Sequence, residues 1–368
     1  MNRSKARRGP RERRWLPFSL RFLCPYGPHD HLPSAIFGGR FQHSMRVAVI
    51  GASGIGKQHA KWFHLEGCDV VAFTGTSTES VEKTTQVLKK LFDFTGHAYT
   101  DVAAMLKETS PDIAVVSSPP SLHLEHSLLA LEAGCHLYCE KPLVWFGKGT
   151  VEPHESLLRD AAQVRDESRR RGLTFALNTQ YVAAVPDYHS FMGTAFEECL
   201  YPETMFMRME SKNPVGQKEY ESIWTDLSPH PISMLMEWCP AGIVDEDSVS
   251  FTVERCRNRC KFDFVSPEGK ATQVEFDLGQ IQEGAPERAF GVNGRIACYE
   301  GRNDADGVYR SYLRCGDQEI ITEDFVQVSV RAFIHSIDDP SAEPLVTGDE
   351  GLRNLEIQLQ LLERAARV

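Results

Sequence analysis

The stretch Arg46 to Ile50 (RVAVI) runs directly into Gly51-Ala52-Ser53-Gly54-Ile55-Gly56, and no other feature of the chain restricts its fold so tightly. A short β-branched run reads as a buried strand. The glycine turn, with a helix expected from about Gly56 to Leu65, sets backbone N–H groups and a helix N-terminus at the strand's carboxyl end, where they can face a pyrophosphate. Read as G-x-G-x-x-G, the turn has Gly51 and Gly56 in place and Ser53 where the middle glycine belongs, with Gly54 and Ile55 completing the loop. Alone, this pattern is weak, because many strand-to-helix turns that bind nothing share it. Its weight comes from a second strand, Asp69 to Thr74 (DVVAFT), at the spacing of a dinucleotide-binding unit.

The alternation continues beyond that unit. A helix carrying Val81, Val87 and Leu88 leads to a strand at Ile113 to Ser117, then a helix from about Ser121 to Glu132 stopped by Gly134. A short strand at His136 to Cys139, a polar helix from about Glu155 to Arg171 and a strand at Leu173 to Leu177 follow. Such repetition implies a doubly wound parallel sheet covered on both faces, with ligands at the carboxyl ends of its strands. After about residue 180 the period changes. Val249, Phe251 and Val253, then Phe262 and Phe264, then Val274, Phe276 and Leu278 alternate with polar residues, and Ser266 to Lys270 makes a hairpin loop. Arg295 to Glu300 and Val308 to Arg314 read as further strands, and helices near Asp324–Ile337 and Asp349–Ala366 close the chain. The expected fold is α/β: a Rossmann domain over residues 45–178 and an α+β domain with a large, mostly antiparallel sheet over residues 179–368. The terminal helix is free to pack back on the first domain.

Composition narrows the partners. The apolar share of 42% and charged share of 25% suit a globular chain. A formal net charge of −11 argues against nucleic acid, and no apolar run is long enough for a membrane span, so a cytoplasmic location is expected. The first 44 residues stand apart, with nine Lys or Arg against two acids, which leaves −18 for the remainder. Pro10, Pro17, Pro25, Pro28 and Pro33 oppose the long amphipathic helix of a transit peptide, and no apolar core follows to make a secretory signal. Met45, directly before the first strong strand, reads as the start of the protein or close to it, with residues 1–44 disordered or not made; a basic interaction tail is the other reading. The ten cysteines are irregularly spaced, and Cys256 and Cys260 have no second pair beside them. Reduced thiols and no metal site are expected.

Several groups at predicted strand ends can carry chemistry. Thr74, Thr76 and Ser77 end the second strand with no acid before Glu79. Hydroxyls there suit a 2′-phosphate and a carboxylate is missing from the place that would select a free ribose, which favours NADP over NAD. Ser118-Pro119-Pro120-Ser121-Leu122-His123 and Cys139-Glu140-Lys141-Pro142 both fall where strands should face a cofactor. Lys141 can set an ammonium beside a substrate oxygen; a surface ion pair would explain Glu140 and Lys141 equally well if they stood alone. Asp226 and His230 lie four apart in WTDLSPH, a spacing that puts both on one helix face and makes a carboxylate-paired proton carrier. A capping Asp and a packed His fit the same residues, and Pro229 and Pro231 require a first turn or a distorted helix. Asn178, Gln180 and Tyr181 follow the last strand of the first domain, where either substrate contact or hinge packing places them.

Taken in order, these pieces resemble the glucose-fructose oxidoreductase / inositol dehydrogenase family (Gfo/Idh/MocA). The resemblance rests on RVAVIGASGIGKQHA with His59 behind the glycines, SPPSLH, AGCHLYCEKPL, the D-x-x-x-H of Asp226 and His230, and the closing PLVTGDEGLRNLEIQLQLLERA. It implies an NAD(P)-dependent oxidoreductase acting on the carbinol of a sugar, cyclitol or related polyol, and a homo-oligomer formed through the C-terminal sheet. It also implies that Lys141, Asp226 and His230 converge beside the nicotinamide, with His230 as base in oxidation, Asp226 orienting it and Lys141 holding the reacting oxygen. Ser228 and Ser233 stand where the family commonly has Gly and Asp, and residues 144–153 add length after Lys141-Pro142. Two other readings use the same residues: a glycoside-cleaving enzyme that retains its NAD, and a dinucleotide-binding regulator without turnover.

Overall fold

The computed structural model describes residues 44–146, 154–193, 200–213 and 219–365. The basic extension, apart from Ser44, and most of the added length after Pro142 lie outside them.

Six strands make the first sheet: β1 (Arg46–Ile50), β2 (Asp69–Thr74), β3 (His97–Tyr99), β4 (Ile113–Val116), β5 (His136–Glu140) and β6 (Phe175–Asn178). All pairings are parallel, in the order β3-β2-β1-β4-β5-β6. The order reverses beside β1, so a crevice opens between the carboxyl ends of β1 and β4. Helices α1 (Gly56–Leu65), α2 (Thr78–Phe92), α3 (Val102–Thr109), α4 (His123–Glu132) and α5 (His154–Arg171) connect the strands. Val47 to Ile50 and Ile113 to Val116 are fully buried, which is why these stretches are apolar on every residue instead of alternating. The sequence reading passed over β3 and α3. β3 is three residues long and mostly exposed, so it carries no apolar run to read.

A 3-10 turn at Gln180–Ala184 and the helix α6 (Val185–Met192) lead into the second part. Then come β7 (Thr204–Lys212), α7 (Tyr220–Leu227), α8 (Pro229–Trp238), β8 (Ile243–Glu254), β9 (Arg257–Val265), β10 (Ala271–Ile281), β11 (Arg288–Val292), β12 (Arg295–Asn303), β13 (Tyr309–Cys315) and β14 (Gln318–Glu323). They form an eight-stranded sheet in the order β14-β13-β12-β11-β7-β10-β9-β8. Every pairing is antiparallel except β7 with β10. One face is apolar and covered, with Met205, Met207, Met209, Phe262, Phe264, Val274, Phe276 and Leu278 buried under α7 and its neighbours. The other carries charge: Asp277 accepts from Arg208 Nε at 3.0 Å and Arg257 Nη1 at 2.6 Å.

Two helices return to the first sheet. α9 (Phe325–Asp338) lays Val326, Val330 and Phe333 against Phe63 and Tyr138. α10 (Gly348–Ala365) starts against the edge strand β6, where Leu177 N–H donates to Val346 O at 3.0 Å. Among the described residues, no helix is long and apolar enough to cross a membrane. The described cysteines are free thiols, five of them buried.

Candidate active site

The glycine elbow is built for close approach. Gly51 has φ +89°, and a Cβ there would stand 2.8 Å from Ser118 N. Only glycine meets both demands. Gly56 opens α1, and a Cβ on it would lie 2.5 Å from Gly51 O and nearer still to Ser117 Oγ, so the helix seats directly on the strand ends. Ser53, at the middle position, is exposed, and around Gly54 a Cβ would meet nothing within 4 Å. The elbow is thus open on the side where a pyrophosphate would lie and packed on the side where helix meets sheet. These residues fit a dinucleotide.

The neighbouring strand ends are tied together by buried polar groups. The two ring nitrogens of His123 each sit 2.8 Å from a carbonyl oxygen, Pro142 O and Ser118 O. Burial lowers the His123 pKa even though both carbonyls pull the other way, and a neutral ring can donate to only one of them at a time. Ser118 Oγ is 2.9 Å from His126 Nδ1. Behind the elbow, Glu140 takes His59 Nε2 at 2.6 Å and Asn178 Nδ2 at 2.7 Å on one oxygen, and Asn178 in turn accepts from Tyr138 at 3.0 Å. Burial pushes the Glu140 pKa up, but the His59 hydrogen bond and the charges of His59 and Lys141 outweigh it and bring it down to about 2. Glu140 is therefore an ion inside the fold.

Glu140 turns inward and Lys141, the next residue, turns into the cleft. Lys141 Nζ donates to both the backbone O and Oδ1 of Asp226, each at 2.7 Å. An ammonium has three donors, so one is left for a ligand. His230 lines the same cleft, 5% exposed, and its Nδ1 has no hydrogen-bond partner among the described residues. Burial first, then the charges of Lys141 and Arg288, press its pKa down to about 3. Asp226 and His230 do not share one helix face. Ser228 N–H bonds to Trp224 O at 2.8 Å as α7 ends, and Pro229 begins α8, which places His230 in a first turn. The two residues line the same cleft from either side of a helix–helix corner.

A cleft of about 400 Å³ joins these parts, lined by Ile55, Ser118, Glu140, Lys141, Asp226 and His230 among others. Ser117, Pro120 and Gln180 also line it; Pro120 belongs to the motif singled out in the sequence, whereas Ser117, at the end of the preceding strand, was not named as a site residue. A second cavity of about 410 Å³ lies away from the elbow, between α5, α8 and α10. Thr74 turns inward, accepting from Gly51 N–H at 3.2 Å, while Thr76 and Ser77 are exposed where α2 begins and Ser77 caps it. Pro119 precedes the 3-10 turn that ends at Leu122. Asn178 is fully buried beneath Glu140, and Tyr181 is buried with its ring edge on His230, centroids 5.0 Å apart. Ser228 and Ser233 face away toward α10, accepting from Gln358 and Asn354 at 2.9 Å each. Among the described residues, no group of three His, Cys, Asp or Glu could hold a metal ion.

Residues 45–166 match GFO_IDH_MocA, the oxidoreductase family with an NAD-binding Rossmann fold. The chain is 38% identical over 100 residues to D-glucoside 3-dehydrogenase of Escherichia coli K12, a stretch covering 27% of each chain. It is 24% identical over 214 residues to inositol 2-dehydrogenase of Pseudomonas syringae, covering 57% of each. The matched stretches thus span less than two thirds of either relative. In fold, it is similar to UDP-N-acetylglucosamine 3-dehydrogenase from Acidithiobacillus ferrooxidans, with a TM-score of 0.62 at 17% identity over 87% of this chain and 97% of that one. The glycine elbow and strands β1 to β5 lie within the matched segment, and over that segment the chain is similar to the NAD-binding Rossmann domain of the Gfo/Idh/MocA oxidoreductase family.

Proposed function

We propose that the chain is an NAD(P)-dependent dehydrogenase acting on a CH–OH group of a sugar, cyclitol or related polyol. The observation that carries this reading is the gathering of Lys141, Asp226 and His230 around one cleft that reaches Ile55 and Ser118 of the elbow region. A nicotinamide bound there would supply the hydride acceptor. The remaining chemistry falls to side chains. The free N–H of Lys141 holds the reacting oxygen and stabilises negative charge as it develops. Asp226 keeps the ammonium in place. His230, neutral over the physiological range, takes the hydroxyl proton. In the reverse direction the protonated His230 returns that proton to the carbonyl oxygen while Lys141 holds it.

Cofactor choice follows from the end of β2. The hydroxyls of Thr76 and Ser77 stand at the N-terminus of α2, with Glu79 the nearest following acid, which supports NADP over NAD. Self-association through the open face of the large sheet is part of the same proposal, and light scattering of the full chain tests it.

The decisive assay follows absorbance at the reduced-nicotinamide band while a panel of polyols is offered with each cofactor. Lys141→Met and His230→Ala should each lower kcat/KM by roughly a hundredfold or more. Full turnover in both variants would end the reading.

A further inference from the structure

Arg288 opens β11 on the same strand face as buried Phe290 and Val292, so it projects from the covered side of the large sheet. Its guanidinium lies 5.8 Å from the centre of the Tyr299 ring. Tyr299 meets Tyr181 edge-on at 5.3 Å, and Tyr181 meets His230 at 5.0 Å. Two tyrosine rings therefore connect Arg288 to the proton-accepting histidine. Its charge reaches that far: it adds to the lowering of the His230 pKa and opposes the burial that raises the Tyr181 pKa to about 12.

Arg288 differs from the other arginines of this sheet. Arg208 and Arg257 share Asp277, Arg302 pairs with Glu300, Arg310 with Asp304 and Arg314 with Glu319. Arg288 is half-buried, yet among the described residues no carboxylate or carbonyl accepts from it. The nearby acids are committed elsewhere. Glu287 turns to the opposite face and bonds Arg208 at 3.0 Å, while Asp324 caps α9 by accepting from Val326 N–H at 2.7 Å. A guanidinium withdrawn from water without a counter-charge is unfavourable, and a ligand that brings the anion removes that penalty. The Tyr299 ring lies within cation–π range of the guanidinium and takes up none of its N–H donors in a hydrogen bond.

We propose that Arg288 is a specificity residue whose guanidinium receives an anionic group of the substrate, so that the enzyme acts on an acidic polyol bearing a carboxylate or a phosphate. The inference rests on the dehydrogenase reading for the word substrate, but the anion subsite stands or falls separately.

The test uses the full chain with oxidised cofactor bound and three matched sets of sugars in gluco, galacto and manno configuration. Each set contains the neutral sugar, its uronate and its 6-phosphate. Calorimetric titration should show at least one acidic member binding roughly tenfold or more tighter than its neutral partner. Whether the uronate or the phosphate wins identifies the anion. Arg288→Gln should abolish that advantage, and Arg288→Lys should keep part of it. In turnover the Gln variant should raise KM for the acidic sugar with little change in kcat. A neutral sugar binding as tightly as both acids in every set would overturn the proposal, as would an unchanged acid preference in Arg288→Gln. Arg288-dependent anion binding without any nicotinamide reduction would remove the dehydrogenase reading and keep the subsite. Turnover of neutral sugars with no acid preference would do the reverse.

Discussion

Gly56→Ala is the sharpest structural test of the elbow. The added Cβ would stand 2.5 Å from Gly51 O, a backbone atom that cannot rotate aside, and still closer to Ser117 Oγ. Ordinary contact begins at about 3.4 Å, so α1 has to move off the strand ends by nearly 1 Å. The Ser117 hydroxyl could turn away, but it donates to Ile50 O at 3.2 Å and Gly51 O at 3.1 Å and would lose both bonds. Overpacking of this kind costs about 1–3 kcal/mol, which in a chain of this size lowers the melting temperature by a few degrees. The displacement also withdraws the α1 N-terminus from the place where a pyrophosphate would sit, so cofactor affinity should fall by roughly tenfold or more. Gly54→Ala is the control, because a Cβ there meets nothing within 4 Å and its backbone is not in the left-handed region. Differential scanning fluorimetry of both variants, and fluorescence titration of Gly56→Ala with NADH and NADPH, would check this. Equal melting temperatures for the wild type and Gly56→Ala, with unchanged cofactor affinity, would refute the packing argument.

Asp226→Asn keeps an oxygen near Lys141 Nζ but removes the counter-charge, so turnover should drop about tenfold while cofactor binding, measured by fluorescence, stays the same. Acid should destabilise the fold through His230, whose pKa is about 3 when folded and near 6.5 when unfolded, so the unfolded chain alone takes up the proton as pH falls below 6.5. At pH 5 that amounts to about 2 kcal/mol lost relative to neutral pH. Urea unfolding of His230→Gln should therefore show a shallower decline between pH 7 and 5 than the wild type, and parallel declines would count against it. Glu140 adds to the acid loss at lower pH: its folded pKa of about 2 lies below the ordinary value of 4.5, so its contribution is complete above 4.5 and disappears as pH falls toward 2. Gln358→Leu removes the donor that Ser228 Oγ accepts at the corner between α7 and α8, and should lower stability by about 1–3 kcal/mol in chemical unfolding.

What could be read from the sequence was what local spacing determines. The RVAVI strand, the elbow and the helix after it are contiguous, and their periods survive without knowledge of partners. β7 was not legible for the opposite reason. It lies inside the large sheet between β10 and β11, and its partners come more than 60 residues later, so nothing near it in the chain announces the pairing. Asp226 and His230 show how spacing misleads at a break. Four residues apart suggested one helix face, but Pro229 cannot continue α7 and instead starts α8, as the proline reading allowed.

The position of Glu140, one residue before Lys141, is set by register. β5 pairs with β6 so that Glu140 stands opposite Asn178, and the side chains of opposed residues emerge on the same face of the sheet. That pairing lets Asn178 reach Glu140, and α1 brings His59 to the same carboxylate. With Glu140 held on two donors at the end of β5, Lys141 follows directly beyond the strand and reaches Asp226 across the cleft. A slip of one residue between β5 and β6 would part Glu140 from Asn178 and unmake that carboxylate's hydrogen bonds. The Glu140 network thus acts on chemistry without touching substrate. It holds an ionised carboxylate at the wall of the cleft beside the Lys141 ammonium, which gives a reason for a buried charge where an apolar residue would pack more cheaply.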